Sequence, residues 1–392
     1  MLIGRQALVV GAGIGGLAAA LALAQRGASV TVLERAPAIA EVGAGLQISP
    51  NGMAVLDAMG LGPAMARVGL PLSAVRLRDF AHGRERLRLD IAAAKFRHPW
   101  MLVHRADLIG LLEDAARQAG VTIETGVEVA GLDEAGRTGV LTADGRSFRS
   151  GLVIAADGGR SALRGLVDPA GAAAPAFRGQ VAWRALVPAD PVPGPNEVQL
   201  YLGPGSHLVR YPLRGGRLIN LVAVEERSDW TAESWTEPGD PARLSQIFAG
   251  YAPAVRAELG RAGAVHAWGL FRRPVARVWT RGKVALMGDA AHATLPFLAQ
   301  GAVMAIEDAW VLAESLAGSE GVEAGLALYE ARRKARCRRI VAAADRNARI
   351  YHLRLPGLRQ AAHLGLGLGD RLRPGLALGQ FDWLYRHDVT RG

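Results

Sequence analysis

Three short glycine-containing segments, far apart in this chain, contain the residue types that hold a nucleotide cofactor. They are Gly11–Gly16, Asp157–Ser161 and Gly288–His292. Glycines allow a tight turn and a close approach of the backbone to a pyrophosphate. An aspartate that follows a strand can accept hydrogen bonds from sugar hydroxyls. The first segment alone predicts a bound dinucleotide, and the three together indicate one cofactor site.

The first segment lies between elements that would hold its glycines in place. Gln6–Val10 is a short apolar run typical of a buried strand, and the apolar run at 17–24 predicts a helix. The N-terminus of such a helix offers free N–H groups and a partial positive charge to a phosphate. The next predicted strand, 28–33, ends before Glu34, whose carboxylate is placed to accept hydrogen bonds from a ribose diol. The alternative, a glycine-rich turn without a ligand, does not explain why strand, helix and acid occur together.

The middle and late segments also follow predicted strands. Leu152–Ala156 precedes Asp157, and that turn could contact both the pyrophosphate of a flavin and an incoming nicotinamide. Lys283–Met287 precedes Asp289, whose carboxylate could hold ribityl hydroxyls. A helix predicted over 302–316 would point its N-terminus at the flavin pyrimidine ring, where a reduced flavin is negatively charged. Taken singly, the middle segment could be a simple Asp-Gly turn and the late one an ordinary core helix behind a loop.

The order of predicted elements favours an α/β fold built from interleaved domains. A Rossmann-like cofactor domain is interrupted twice by pieces of a β-sheet substrate domain, and a C-terminal helical segment follows. Ligand sites commonly lie between such domains. The predicted divisions are cofactor-domain parts at 1–71, 99–172 and 275–316, substrate-domain parts at 72–98 and 173–274, and a basic helical segment at 317–392.

Composition narrows the class of protein. The chain has 392 residues, of which 50% are hydrophobic, so it is long enough for two or three domains with a large core. Its single cysteine, Cys337, allows no internal disulfide and is interpreted as an incidental thiol on a basic helix. A strand begins almost at once, and no apolar run reaches the length of a membrane span. We therefore expect a cytoplasmic protein without a signal peptide, and no metal site.

The excess of positive over negative charge lies at the end of the chain. Residues 331–392 carry the whole net charge of +10. The cations that lie closest together there are Arg332, Arg333, Lys334, Arg336, Arg338 and Arg339. They could form a solvated helix face, a weak contact with an anionic membrane, a contact with an acidic partner, or the interface of a homodimer. Nucleic acid is not an expected partner, because no nucleic-acid-binding motif accompanies the charge.

The glycine segments, together with Glu34, Arg35 and Arg105, resemble those of the single-component, FAD-dependent aromatic hydroxylases. Within that family, the segments at 41–51, 298–301 and 381–385 are similar to the branch that contains salicylate hydroxylase, 3-hydroxybenzoate 6-hydroxylase and 6-hydroxynicotinate 3-monooxygenase. The resemblance covers nearly the whole chain. It implies tightly but non-covalently bound FAD, with NAD(P)H as a co-substrate that binds transiently in a surface groove.

The resemblance also implies which residues meet the cofactor. These are Gly11, Gly13, Ile14, Gly15, Glu34, Arg35, Arg105, Val129, Asp157, Asp289, Gly301 and Ala302.

A smaller set of residues is implied at the substrate. His207 begins a His-x-x-x-Tyr-Pro strand that contains Tyr211, and both are implied as catalytic and substrate-binding, with His207 as the base. Gln300 matches a catalytic glutamine of one relative, and Gln47 and Pro296 are expected to bind substrate. The 6-hydroxynicotinate enzymes have a histidine where this chain has Gln47, which argues against that substrate. Some relatives have a second histidine just before the tyrosine; its replacement here by an arginine argues against a two-histidine mechanism.

The chemistry of such enzymes explains these residue types. Reduced FAD reacts with O2 to give a C4a-hydroperoxyflavin, whose electrophilic distal oxygen is attacked by an electron-rich ring such as a phenolate. Histidine, with a reference pKa of about 6.5, is suited to remove the phenol proton. A tyrosine could relay that proton or orient the ring. Without the resemblance, His207 would be interpreted as a structural histidine, and His292 is interpreted as structural in either case.

Three functions remain open from the sequence. The first is hydroxylation, with or without decarboxylation, of a phenolic or N-heteroaromatic acid by an NAD(P)H-consuming monooxygenase. The second is epoxidation or hydroxylation of a bulkier polycyclic or apolar substrate. The third is a non-oxygenating FAD redox sensor that its basic segment recruits to a surface. Small aromatic acids that accelerate NAD(P)H oxidation would favour the first, and bound FAD that no nicotinamide reduces would favour the third.

Overall fold

A computed structural model describes residues 1–39, 44–133, 138–171, 173–190, 194–230, 237–353 and 375–391. The strands in these ranges are β1 Gln6–Val10, β2 Ser29–Glu34, β3 Gly45–Ile48, β4 Leu70–Pro71, β5 Ala74–Asp79, β6 Glu85–Asp90, β7 Met101–His104, β8 Thr122–Thr125, β9 Val129–Leu132, β10 Gly139–Thr142, β11 Ser147–Arg149, β12 Val153–Ala155, β13 Ala176–Pro188, β14 Glu197–Gly203, β15 Ser206–Leu213, β16 Leu218–Glu226, β17 Pro238–Gly239, β18 Val265–Arg272, β19 Thr280–Arg281 and β20 Val284–Leu286.

The helices in the same ranges are α1 Ile14–Ala24, α2 Pro50–Ala58, α3 Gly62–Val68, α4 Arg105–Gln118, α5 Arg164–Val167, α6 Pro241–Ile247, α7 Pro253–Leu259, α8 Asp289–His292, α9 Gly301–Ala317, α10 Val322–Tyr351, α11 Leu376–Gly379 and α12 Asp382–Tyr385. Two short 3-10 helices lie at Pro169–Gly171 and Pro296–Leu298.

A six-stranded sheet forms the cofactor-binding part of the fold, in the order β19-β20-β12-β1-β2-β8. All its strand pairs are parallel except β19–β20. Its inner strands are buried on both faces, which is why they are near-continuous apolar runs; Val9, Val32 and Ile154 are each fully buried. Parallel order brings the carboxyl ends of β1, β2, β12 and β20 to one edge, which is where the three glycine segments begin.

An eight-stranded sheet forms the other large layer, in the order β17-β18-β13-β16-β15-β14-β5-β6. Strands β5 and β6 come from a separate part of the chain, and β5 joins β14 in parallel. The remaining pairs are antiparallel. The sequence therefore predicted the interleaved α/β fold class correctly. The division into six numbered segments remains a prediction.

Helices α6 and α7 and strand β3 are among the elements that were not predicted. α6 and α7 interrupt a region expected to be mostly strand, and each has a proline at its first position. Asp240 caps α6 by accepting a hydrogen bond from the Ala242 N–H (2.8 Å), a local signal that strand-like alternation elsewhere in the region obscured. β3 lies in a segment assigned only by resemblance, of which residues 41–43 fall outside the described ranges. No helix in the described part of the chain is long and apolar enough to cross a bilayer.

A buried charge cluster joins α9 to α10. The Arg333 guanidinium is 1% exposed, and its Nε donates to Asp308 Oδ1 at 2.7 Å. Its NH1 lies 2.7 Å from Glu307 Oε2, and Arg336 NH2 donates to Glu307 Oε1 at 2.8 Å. Each buried charge therefore has an opposite partner, which is the condition under which such groups are tolerated inside a protein.

The expectation of a free basic surface does not match these contacts. Besides Arg333 and Arg336, Arg332 lies 2.6 Å from Glu314, and Lys334 lies 2.6 Å from Glu330. The Arg339 guanidinium is stacked 3.8 Å from the centre of the Trp383 ring. Acids of the same chain therefore already neutralise much of the cluster. Docking to an anionic membrane or a homodimer contact remains a prediction, and residues 354–374 of this segment lie outside the described ranges.

Cys337 lies on the basic helix α10, as expected from the sequence. It is fully buried on α10, with its Sγ 3.5 Å from Arg333 NH2 and 4.0 Å from Asp308 Oδ1. The helix has one basic, exposed face and one face that packs on α9, and Cys337 lies on the second.

Replacing Arg333 with methionine tests how much the fold depends on the charge cluster. Arg333→Met removes the guanidinium that two buried carboxylates share and leaves Glu307 with Arg336 and Asp308 with His292. We expect the free energy of unfolding to fall by about 3–5 kcal/mol. Arg332→Met on the same helix is the matched control, because its pair with Glu314 is partly exposed and should contribute less than about 1 kcal/mol. Urea denaturation followed by circular dichroism measures both. Equal losses for the two variants would contradict the assigned role.

The same cluster predicts a loss of stability in acid. Burial works to raise the pKa of Glu307 and of Asp308, but the neighbouring cations outweigh it and hold both pKa values below the ordinary range. A carboxyl whose pKa is lowered by folding stabilises the protein above its unfolded pKa, about 4 to 4.5, and loses that contribution as the pH falls. We expect the free energy of unfolding to drop below about pH 4.5, and Glu307→Gln to weaken that dependence. Urea titrations at neutral and acidic pH decide; an unchanged acid slope in the variant would count against it.

Candidate active site

The turn after β1 needs glycine at two positions and leaves space at a third. Gly11 has φ +100°, and a Cβ there would lie 2.6 Å from Ala156 O. A Cβ on Gly16 would lie 1.9 Å from Gly11 O, so the turn and the start of α1 cannot accommodate a side chain. A Cβ on Gly13, by contrast, would meet no atom of the described residues within 4 Å. The space in front of the α1 N-terminus is therefore open to a ligand.

Glu34 is fixed beside this turn by the backbone. Its Oε2 accepts a hydrogen bond from the Ala12 N–H (2.7 Å), and its Oε1 accepts one from the Ala36 N–H (2.9 Å). Each carboxylate oxygen keeps a further lone pair. The carboxylate is therefore held at the edge of the open space, where it could accept hydrogen bonds from a ribose. Arg35, next in sequence, is exposed.

Asp157 lies across the turn from Gly11, at the end of β12. Its Oδ2 accepts a hydrogen bond from the Ala162 N–H (2.9 Å). Its Oδ1 is buried and has no hydrogen-bond partner among the described residues. Burial raises the pKa of this carboxyl against the opposing effect of its hydrogen bonds. An unsatisfied buried oxygen is costly, so this one calls for a donor from outside the chain.

Asp289 faces the same open space from the end of β20. Its side chain is accessible to solvent there, although protein surrounds it on the other sides. Loss of solvation raises the pKa of the Asp289 carboxyl, while the positive charges of His292 and Arg105 act in the opposite direction. The structure gives Asp289 no hydrogen bond within the described residues. Arg105, at the start of α4, and Asp289 therefore lie close to one another around the open space.

The turn that carries Asp289 is held from below by Asp308. The Gly288 N–H donates to Asp308 Oδ2 at 3.0 Å, and His292 Nε2 lies 2.6 Å from the same oxygen. Burial would lower the pKa of His292, but the neighbouring Cys337 and Asp308 raise it well above its ordinary value. His292 is thus a buried partner of Asp308. The side chains of His292, Asp308 and Cys337 lie close enough together to bind a metal ion. The Arg333 guanidinium already provides a positive charge there, because it is paired with Asp308.

A second space, of about 250 Å³, lies against the eight-stranded sheet. Alternate residues of paired strands form its apolar wall, because alternation places them on one face. They are Val75, Leu77, Leu87, Leu89, Val198 and Leu200. The loop that contains Pro296, the C-terminal end of α10, and α11 and α12 close the other sides. No Lys, Arg, Asp or Glu is among the described residues that line it.

His207 is the ionisable base of this cavity wall. It lies on β15, is 3% exposed, and has Phe297 and Tyr351 beside its ring, each at 5.4 Å between ring centres. Its Nδ1 is 2.7 Å from Nε2 of His352. Burial, reinforced by His352, lowers the pKa of His207 well below its ordinary value. Burial therefore favours the neutral form of the ring.

Residues 5–344 match the family described as FAD binding domain. The chain is 35% identical over 392 residues to 3-amino-4-hydroxybenzoate 2-monooxygenase PtnB3 of Streptomyces platensis, covering 97% of this chain and 96% of that protein. It is 33% identical over 360 residues to 3-hydroxybenzoate 6-hydroxylase of Klebsiella oxytoca, covering 88% and 89% of the two chains. The chain belongs to the FAD-dependent aromatic hydroxylase family. It is an FAD-dependent monooxygenase.

The solved structures agree with this assignment. Klebsiella pneumoniae HpxO complexed with FAD and uric acid superposes with a TM-score of 0.84 and 31% identity, covering 96% of this hydroxylase and 97% of HpxO. The FAD fold predicted from three glycine segments is thus confirmed.

The residues of this hydroxylase fit FAD. Open space above Gly13, the unsatisfied Oδ1 of Asp157 and the carboxylate of Asp289 lie along one edge of the parallel sheet. Gly15 allows a close approach of α1 to α9, since a Cβ there would be 3.0 Å from Ala305 Cβ. That approach brings the N-termini of both helices towards the same space. The individual contacts to FAD remain predictions.

The other residues assigned to FAD lie around this space or in elements beside it. Ile14 begins α1 and is buried, Val129 begins β9, and Gly301 and Ala302 form the first turn of α9. The first turn of α9 has free N–H groups, which is the feature that the sequence assigned to the flavin pyrimidine ring.

The residues assigned to the substrate divide into two groups. Gln47, His207 and Pro296 line the cavity. Tyr211 and Gln300 are not among its described lining residues. Tyr211 is buried against β3, where a Cβ on Gly45 would be 2.7 Å from its hydroxyl. Their catalytic roles remain predictions that the cavity does not support.

The Gln300 amide is engaged by a hydrogen-bond network beside the cavity. Its Nε2 donates to Ser49 Oγ at 2.9 Å, and its Oε1 accepts from Asn51 Nδ2 at 3.2 Å. Asn51 also donates to Glu307 Oε1 at 2.7 Å. Gln300 therefore connects the loop before α9 to the charge cluster.

Sequence reasoning missed several residues of the site. Glu307 and Asp308 are two acids within the apolar sequence of α9, a signal that could have been found by asking how a buried acid is paired. His352 had no such signal, because it reaches His207 only through the packing of α10 on the sheet.

Asp289→Ala tests whether this carboxylate holds the flavin. Losing one or two charge-assisted hydrogen bonds of about 1.5–3 kcal/mol each should weaken FAD binding about ten- to a hundredfold per bond. The measurement is fluorescence titration of deflavinated protein with FAD. Asp229→Ala, at an exposed aspartate in the loop after β16, is the matched control. An FAD dissociation constant equal to that of the parent would rule out the role.

Proposed function

We propose that this monooxygenase consumes NAD(P)H and O2 to place one oxygen atom on an electron-rich aromatic ring, and that His207 removes the phenol proton of its substrate. The observation that carries the proposal is the buried His207 ring on the wall of a cavity whose described lining contains no Lys, Arg, Asp or Glu. A phenol that enters this cavity meets one ionisable base at the strand that the family resemblance indicates. When bound and reduced, the flavin supplies the reactivity of O2.

The protein's own contribution is to position, ionise and protect the ring. Apolar side chains of β5, β6 and β14 exclude water from the ring, which favours oxygen transfer over wasteful decay. His207 accepts a hydrogen bond from the phenol and then its proton, which makes the ring electron-rich. The amides of Gln47, Asn347 and Gln380 are among the other polar groups of the lining that could orient ring substituents, together with the side chains of Trp100, Tyr351 and Tyr385.

The cavity favours one substrate class over another. The named relatives act on hydroxybenzoates, which makes an aromatic acid the first candidate. Burying a carboxylate without a cation costs several kcal/mol, about 2–7 even for a neutral polar group without a partner. The described lining offers amides and no cation, and this observation favours the second candidate, an uncharged and larger aromatic substrate. A cytoplasmic location with a supply of NAD(P)H, and a homodimer, remain part of the proposal.

Matched pairs of phenols separate the two candidates. Hydroxybenzoates and hydroxypyridine acids are compared with the same rings that carry an amide or alkyl group instead of the carboxylate. NAD(P)H consumption and product mass are scored for each. Mass gain of one oxygen from any ring supports the monooxygenase, and the preferred member of each pair identifies the class. NAD(P)H oxidation by no member, or oxidation that yields only peroxide, would contradict ring hydroxylation.

Replacing His207 tests the base. His207→Ala should leave FAD binding near normal and slow hydroxylation by about 10²-fold or more, the usual loss for a missing general base. Single-turnover kinetics at saturating substrate isolates that step from cofactor binding. His82→Ala, at an exposed histidine in the β5–β6 turn, is the control. If hydroxylation is unchanged, the histidine is structural.

A further inference from the structure

A second histidine lies directly behind His207. His352 follows the last residue of α10 and is 4% exposed. Its Nε2 is 2.7 Å from His207 Nδ1, and its Nδ1 is 3.4 Å from Glu226 Oε1. Glu226 ends β16, with its side chain 26% exposed. Three ionisable groups from three elements thus form a continuous line from the cavity wall to the protein surface.

We propose that His352 and Glu226 form a proton relay that carries the substrate proton from His207 to solvent. The proposal rests on the proposed function, since it takes His207 as the base. It assigns functional roles to two residues that sequence and family resemblance left without one. β15 contains no second histidine, and the residue that follows α10 supplies one.

The relay answers a problem that burial creates for His207. A base surrounded by apolar groups holds a proton poorly, because the imidazolium is separated from water. Burial lowers the pKa of His207 because it disfavours the charged ring. A partner that removes the second ring proton as the first arrives lets the ring act as a base without remaining charged.

The protons balance along this line. In the resting state His207 carries hydrogen on Nδ1 and donates it to His352 Nε2, so His207 Nε2 is free to accept. The substrate O–H bond breaks and its proton binds His207 Nε2, leaving the electron pair on the phenolate oxygen. The Nδ1 proton of His207 moves to His352 Nε2, and the Nδ1 proton of His352 moves to the Glu226 carboxylate. Both rings end neutral, with their hydrogens on the opposite nitrogens.

The Gln180 side chain can form a hydrogen bond with His352 both before and after the proton transfer. Its side-chain amide lies 3.1 Å from His352 Nδ1. After transfer this nitrogen is bare and accepts from the amide N–H. Before transfer it carries hydrogen, and the amide turned over presents its oxygen instead. An amide is the side chain that can serve both states without becoming charged.

Ionisable and aromatic groups of the described residues face the pair. His207 faces His352 and Tyr351 of the α10 end, and His352 faces His207 of β15 and Glu226 of β16. Phe297 packs against both rings. Glu226, whose side chain is 26% exposed, is the charged group that lies against His352 at the outer end of the line.

Two substitutions at His352 separate relay from packing. His352→Gln keeps a hydrogen bond to His207 but cannot pass a proton, and His352→Phe keeps the packing of the ring. In the FAD-loaded enzyme both should lower kcat about tenfold or more near pH 7, with KM within about twofold. The deficit should shrink as the pH rises, because the substrate then ionises by itself. His82→Gln is the matched control and should behave as the parent at every pH.

The outer link has its own matched pair. Glu226→Gln removes the proton acceptor, whereas Glu225→Gln changes the neighbouring carboxylate, which accepts from Trp183 Nε1 instead. We expect a lower kcat and a similar pH-dependent recovery for the first variant only. A full kcat for His352→Gln, or a deficit that stays constant with pH, would overturn the relay and leave His352 as a packing residue.

A measurement without turnover keeps this proposal separate from the proposed function. In protein labelled with 15N-histidine, the ring nitrogens of His207 and His352 should respond to pH together, and His352→Gln should change the titration of His207. Coupled titration with no hydroxylation of any phenol would overturn the proposed function while retaining the shared proton. Independent titration of the two rings would overturn the relay itself.

Discussion

The pairing of Arg333 with Glu307 and Asp308 is the interaction on which the rest of this structure depends. The buried guanidinium of Arg333 is tolerated because two carboxylates meet it. Those carboxylates are in turn tolerated inside α9 because Arg333, Arg336 and His292 surround them with positive charge. Each of the two carboxylates also binds a residue of another element. Asp308 holds the Gly288 N–H and His292, and Glu307 holds Asn51. The turn at the FAD edge and the loop beside the cavity are therefore fixed by one set of charges.

The sequence predicted those elements whose structure and role are both determined within one short segment. The apolar strand, the glycine turn and the acid at Glu34 are all local, and the structure places them as expected. Alternation in β5 and β6 predicted strands, and it also produced the apolar cavity wall, because one face of each strand repeats every second residue. His207 was found through a strand motif and does line the cavity. In each case the information lies within one short segment.

The remaining features depend on contacts between distant segments. Arg333 and Cys337 belong to a stretch that reads as solvated and basic, but packing against α9 turns one of its faces inwards. Gln300 follows a motif that indicates a catalytic amide, yet Ser49 and Asn51 engage that amide. His352 gains its partner only when α10 crosses the end of β15. Charge and motif are properties of a segment, whereas burial and partnership are properties of the fold.

Because the single cysteine is buried, its reactivity shows how often the structure around it opens. A thiol-specific reagent has one target in the whole chain, and that target lies at the contact of α9 and α10 with no exposed surface. Modification therefore requires the two helices to separate, and its rate follows how often they do so. Because Cys337 also touches Arg333 and lies near Asp308, the same event marks loss of the charge cluster. The rate at which Cys337 is modified therefore measures local unfolding beneath the cofactor site.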